Sequence, residues 1–239
     1  MTFHVIENTT KGTCFAITGE KEALILEAGI EPEKVWKAVN FNLKNISGCL
    51  ISNQANEVCK FARNFSEDMN VFSHAEIIRF LNIAHFNKVK AIAAGKTYQI
   101  DNFLVLPFLL QNTCFGYFIN HAETGRIVYI THASNIPYKL NDINHVIIEC
   151  NYMTEKLKEN VKNESLRPIL SRQIVNNRMS LETVLNWLKM QDLSKTKNIL
   201  LCNVSEKNSD PETLKERVLL TTKINTEIAV KGLKIDLSI

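Results

Sequence analysis

Short apolar runs broken by turn residues fill the first two thirds of the chain. They read FHVIEN (3–8), TCFAITGE (13–20), EALILEAG (22–29) and GCLIS (48–52), then FLVLPFLL (103–110), FGYFIN (115–120), RIVYITH (126–132) and HVIIEC (145–150). Rich in Ile, Val, Phe and Tyr and bounded by Gly, Asn and Asp, these runs predict strands. NHAETGRIVY predicts a hairpin that turns at Glu123-Thr124-Gly125. A helical period appears in PEKVWKAV (32–39), where Val35, Trp36 and Val39 share a face, and in SHAEIIRFLNI (73–83), through Ile77, Ile78 and Leu81.

The last third is more helical. SLETVLNWLKMQ (180–191) begins at a Ser N-cap and stacks Leu181, Val184, Leu185 and Leu188 on one stripe. DPETLKERVLLTT (210–222) opens with Asp at the N-cap and Pro in the first turn. The charges of TEKLKENVKNES (154–165) predict one solvated helix face. NILLCNV (198–204) predicts a buried strand and EIAVKGLKIDLS (227–238) a closing one. Strands and helices interleave to the end with no Gly/Ser linker or internal repeat, which predicts one domain over 1–239. The class is α/β. The early hairpins argue against a purely parallel sheet and for a sandwich of two mixed β-sheets with outer helices.

Composition narrows the function classes. An apolar share of 45% and a charged share of 22% are ordinary for a folded protein. A net charge of +3 over 239 residues lacks the clustered basicity of a duplex nucleic-acid binder, while leaving room for a phosphorylated small molecule. Six scattered cysteines with no C-x-x-C pair read as small buried hydrophobes, not as disulfides or zinc ligands. No run approaches the ~20 apolar residues of a membrane span, and no signal peptide is evident. The expectation is a cytoplasmic protein without a membrane partner.

One stretch raises a chemical question. LISNQANEVCKF (50–61) is a strand ending in a polar loop that opens a helix, where α/β proteins commonly place their chemistry. The loop offers amides, an alanine and a single carboxylate, Glu57. Cys59 and His132 read as packing and as a strand-end polar residue more readily than as a nucleophile or a base. Glu149 and Tyr152, in ECNY, read equally well as structural residues or as site residues.

The strings TKGTCFAIT, EALILEAGI, GCLIS, VYITH, VIIECNY, RMSLETV and LLCNVSEKNSD, in that order and spacing, resemble the metallo-β-lactamase fold of bacterial and phage phosphodiesterases, including phage anti-Pycsar cyclic-nucleotide hydrolases. The resemblance implies an αββα sandwich and, after the GCLIS-like strand, a metal-binding H-x-H-x-D-H loop. Here that loop is Asn53-Gln54-Ala55-Asn56-Glu57-Val58. Asn53, Ala55 and Val58 stand where histidines would, and Glu57 where the aspartate would. A further family histidine falls near Asn112, the bridging aspartate at His132, a histidine preceding the MSLET string at Arg178 and the last metal histidine at Asn203. Zinc needs imidazole, thiolate or carboxylate donors, usually three or four of them. The resemblance therefore implies a degenerate site: no catalytic residues, no metal, no cofactor.

An emptied site of this kind still offers hydrogen bonds. Asn53, Gln54, Asn56, Glu57, Asn112, His132, Arg178 and Asn203 are the candidate ligand-binding residues, with Lys60 nearby. Amides match nucleobase edges, and arginine grips phosphate. The leading expectation is an inactive relative that sequesters a nucleotide-type signal, such as a cyclic nucleotide in viral counter-defence, as a homodimer. Two others stay open: an interaction or regulatory subunit acting through its surface, and a phosphodiesterase with one atypical metal at Glu57 and His132.

Overall fold

The computed structural model describes residues 1–39 and 43–239. The chain gathers into two compact units, residues 1–125 with 230–239, and residues 126–229. It is an α/β protein with two mixed β-sheets flanked by helices, as the apolar pattern predicts.

The first unit runs β1 (Thr2–Thr9), β2 (Gly12–Thr18), β3 (Ala23–Leu26), α1 (Pro32–Ala38), β4 (Ile46–Leu50), α2 (Asn56–Cys59), α3 (Ala62–Asp68), β5 (Val71–His74), α4 (Ala75–Phe80) and β6 (Val89–Ile92). It continues through β7 (Tyr98–Ile100), β8 (Phe103–Gln111) and β9 (Cys114–His121), an antiparallel meander. The second unit holds β10 (Gly125–Ile130), β11 (His145–Glu149), α5 (Thr154–Lys162), α6 (Pro168–Asn177), α7 (Leu181–Met190), β12 (Asn198–Cys202), α8 (Pro211–Thr222) and β13 (Asn225–Ile228). The chain then returns to the first unit with β14 (Lys234–Asp236).

The first unit's seven-stranded sheet has the order β14-β1-β2-β3-β4-β5-β6, antiparallel up to β3 and parallel beyond it. One core joins Cys14, Ala16, Ile25, Cys49 and Val71 of the strands, and Ile51 just past β4, to Val35, Trp36, Val58, Phe65, Ile77 and Ile78 of the helices. In the second unit β10, β11, β12 and β13 pair in parallel. The residues of β10, β11 and β12 are buried almost without interruption, the pattern of strands covered on both faces. All six cysteines are buried and reduced, as expected of small hydrophobes.

Both helix starts expected in the last third form as read. Ser180 Oγ accepts from Thr183 N at 3.1 Å, and Asp210 Oδ1 from Thr213 N at 2.9 Å. Two expectations need correction. Residues 227–238 are not one closing strand: β13 joins the parallel strands of the second unit, while β14 pairs antiparallel with β1. Segment 73–83 opens as strand, and α4 begins only after His74, whose Nδ1 accepts from Glu76 N at 3.2 Å.

Candidate functional site

In the second unit, three neighbouring parallel strands deliver polar residues at their carboxyl ends: His132 after β10, Glu149 closing β11, and Asn203 after β12. This is the edge at which open α/β sheets bind ligands. Arg178 arrives on the extended link between α6 and α7. Arg178, Asn203 and His132 converge on the fully buried carboxylate of Glu149. Glu149 Oε2 accepts from Asn203 Nδ2 at 2.9 Å, Arg178 Nη1 at 3.1 Å and the His132 backbone N at 3.2 Å; Oε1 accepts from Met179 N at 3.4 Å. Arg178 Nη1 also donates to His132 Nε2 at 2.7 Å. A guanidinium has only donors, so that ring nitrogen presents its lone pair to the arginine.

The backbone beneath is pinned on both sides. Cys150 N donates to Cys202 O at 3.0 Å, Asn151 N to Met179 O at 2.9 Å, and Ser205 N to Asn151 O at 2.9 Å. Tyr152 is buried and bridges to Ser180, so it packs and is not offered to a base.

In the first unit a second buried carboxylate plays a comparable part. Glu27, just after β3 at φ 71°, accepts from Ser52 N at 3.1 Å and Ser52 Oγ at 2.5 Å. Asn53 is buried in the same cluster. Its Nδ2 donates to Ser52 Oγ at 2.9 Å, and its Oδ1 accepts from Ala55 N at 2.8 Å in an Asx turn. Gln54 and Asn56 are exposed and Glu57 is half-buried. Gly29 lies so close to the Glu57 carbonyl oxygen that any Cβ there would collide with it, which locks the start of α2 against the end of β3. Cys59 Sγ donates to Ala55 O at 3.2 Å, and burial, then Glu27 and Glu57, pushes its thiol up to about 12. A thiol so disposed is a packing group.

Of the residues singled out from sequence, the structure gathers His132, Arg178 and Asn203 in one cluster and strings Asn53, Gln54, Asn56 and Glu57 along one loop. Asn112 is an exposed turn residue between β8 and β9. His132, Asn112 and Asn203 all sit at positive φ, at 54°, 49° and 52°. Asn and His are among the few residue types that accept this region, so backbone shape accounts for part of this polar signature. Sequence reasoning left Glu149 undecided and passed over Glu27. The signal for both was an acidic residue ending an apolar run, EALILEAG and HVIIEC, where only a paired carboxylate survives burial.

No sequence-family model matches the chain, and no curated protein sequence does. Solved structures match throughout. The chain is similar to YhfI, a metallo-β-lactamase-fold protein of Bacillus subtilis, with 13% identity and a TM-score of 0.73 over 98% of this chain and 99% of that one. It has the metallo-β-lactamase fold. The chain is likewise similar to Zn²⁺-bound PqqB of Methylobacterium extorquens, with 11% identity and a TM-score of 0.73 over 99% and 100% of the two chains. A diphosphatase of the PhnP family matches with 12% identity and a TM-score of 0.66 over 98% and 96%.

A metallo-β-lactamase fold raises the question of zinc, and the donors of the second-unit cluster answer it. Among the described residues, no three His, Cys, Asp or Glu side chains come together as a metal-ligand group. Glu149 and His132 are two donors, and a guanidinium engages both. A divalent cation there would have to displace a fixed positive charge. This donor set does not fit a zinc centre.

Proposed function

We propose that this chain is a metallo-β-lactamase-fold protein that binds and holds a nucleotide-type ligand without hydrolysing it. The observation that carries the reading is Arg178. Its guanidinium supplies the positive charge that Glu149 requires and takes the imidazole lone pair of His132. With that cluster closed on itself, this chain has no group there to activate a water. A phosphate-bearing ligand is in keeping with the PhnP-family diphosphatase among the similar structures, and the exposed amides of Gln54 and Asn56 offer hydrogen bonds on the loop.

The test is mass spectrometry of the small-molecule extract of heat-denatured protein, purified without chelator from cells making candidate nucleotide signals. Metals are quantified on the same sample. An intact nucleotide with less than stoichiometric metal is expected. Stoichiometric zinc, manganese or iron with turnover of a phosphodiester would overturn the reading.

A second reading rests on α6. No residue of this helix is buried, and Ile169, Leu170 and Val175 are all exposed. Apolar side chains so displayed mark a surface that meets a protein. On this reading the chain acts as an interaction subunit, or as a homodimer through that helix. Light scattering on the purified protein distinguishes the two: a monomer at every concentration removes the homodimer.

A further inference from the structure

A cleft of about 350 Å³ opens in the first unit, with a lining that does not include the buried Glu27. Its floor is backbone: Gly12 lies against the Gly29 carbonyl oxygen too closely for any side chain. Its walls carry Lys11 from the turn between β1 and β2, Lys34 from α1, Lys60 beyond α2, and Glu7 and Glu31. The two carboxylates are already engaged. Glu31 meets Lys34 at 2.7 Å, and Glu7 meets Lys231 at 2.8 Å. Three ammonium groups thus line the cleft with two carboxylates, and one of those carboxylates, Glu7, is paired with Lys231 from outside the lining. Among the described residues, neither Lys11 nor Lys60 forms an ion pair.

Lys60 is also held in place. Its Nζ stands 5.1 Å from the centroid of the half-buried Phe61 ring, a cation–π contact that steers an otherwise mobile side chain toward the cleft. The Glu31 carboxyl is held below its ordinary value by Lys34 first and by Lys60 as well, which sets both lysines around the same wall. Lysine favours phosphate as a point charge, and a cleft of this size admits one or two phosphate groups with their ester.

We propose that this lysine cleft receives the phosphate groups of a small organic phosphate. The inference rests on the nucleotide-type reading for the identity of the ester and names the part of the chain that would hold its charge. The exposed amides of Gln54 and Asn56 shortly precede Lys60 in the chain but are outside the cleft's lining.

Calorimetric titration with inorganic pyrophosphate at low ionic strength tests it. The wild type, the double variant Lys11→Ala/Lys60→Ala and the double variant Gln54→Ala/Asn56→Ala are compared; all four side chains are exposed, so each variant should fold. Pyrophosphate should bind the wild type, lose about tenfold or more in affinity without the two lysines, and be unaffected by loss of the amides. Added salt should weaken it. Absence of binding to the wild type, or equal binding to the lysine variant, overturns the cleft. A nucleotide that still co-purifies with the lysine variant overturns the cleft and leaves the nucleotide reading standing. Lysine-dependent pyrophosphate binding by a protein that retains no nucleotide upholds the cleft and removes the nucleotide reading.

Discussion

Arg178 fixes the chemistry of the second unit more than any other residue. Its side chain is 24% exposed while Glu149 is 0% exposed, so the pair is closer to a buried than to a surface ion pair. Removing one partner of such a pair leaves a buried charge without compensation. Arg178→Ala is expected to lower stability by about 3 kcal/mol in urea denaturation, and Glu149→Gln by less, since it keeps an acceptor for Asn203. A neutral Arg178→Ala would mean that the cluster does not form. The cysteines allow a second check. Burial raises the Cys14, Cys49, Cys59 and Cys150 thiols, so alkylation of the native protein at pH 8 should be slow for all of these and rapid after unfolding. Fast labelling of Cys59 in the native state would restore it as a nucleophile. Sequence showed directly that the 53–58 loop carries amides and no histidine. It could not show that Asn53 spends its amide inside the protein, because the Ser52–Glu27 pair that captures it depends on residues 25 positions apart.

At the scale of elements, strands announced by runs of β-branched and aromatic residues were legible, and so were helices with strong caps. The residues that escaped share a physical cause. β5, β6 and β7 span three or four residues each, too few for an alternating pattern, and β5 ends at His74 with α4 beginning at the next residue. α6 has apolar residues on several sides and buries none, so it lacks the stripe that marks a packed helix. Ile169→Glu and Val175→Glu should therefore leave thermal stability within about 0.5 kcal/mol of wild type. They should also abolish any concentration-dependent association seen by light scattering; persistent association would place the contact elsewhere. The β1–β14 pair carries a pH signature. His4 lies opposite Lys234, and burial, then that ammonium, holds its imidazole below its ordinary value. The unfolded chain thus takes up a proton at a higher pH than the folded one. Stability from this site is complete above about pH 6.5 and falls away as pH drops through the lower folded value. His4→Gln should flatten the fall in melting temperature between pH 7 and 5 relative to wild type; an unchanged slope would assign it to other groups.

At the scale of the whole molecule, the interleaving of apolar runs foretold an α/β protein with two mixed sheets. The return of the chain was not foretold. Residues 227–238 read as one continuous strand because Gly232, the only strong breaker, sits in an otherwise apolar and alternating segment, and its positive φ of 86° becomes visible only in the folded chain. The consequence is temporal. Thr2 finds its outer partner in Asp236, 234 positions later, after every residue of the second unit has been made. Throughout synthesis the outer edge of β1 is an unpaired row of amides and carbonyls, the kind of edge that recruits strands from other chains. Leu233, Gly232 and Leu237 close it through backbone bonds to Val5 and Met1. A chain stopped after Ala229 should accumulate as aggregate where the full chain stays dispersed, and a peptide spanning residues 230–239 supplied in trans should reduce that aggregation. For this protein β14 acts as an internal escort, made only after the strand whose edge it covers.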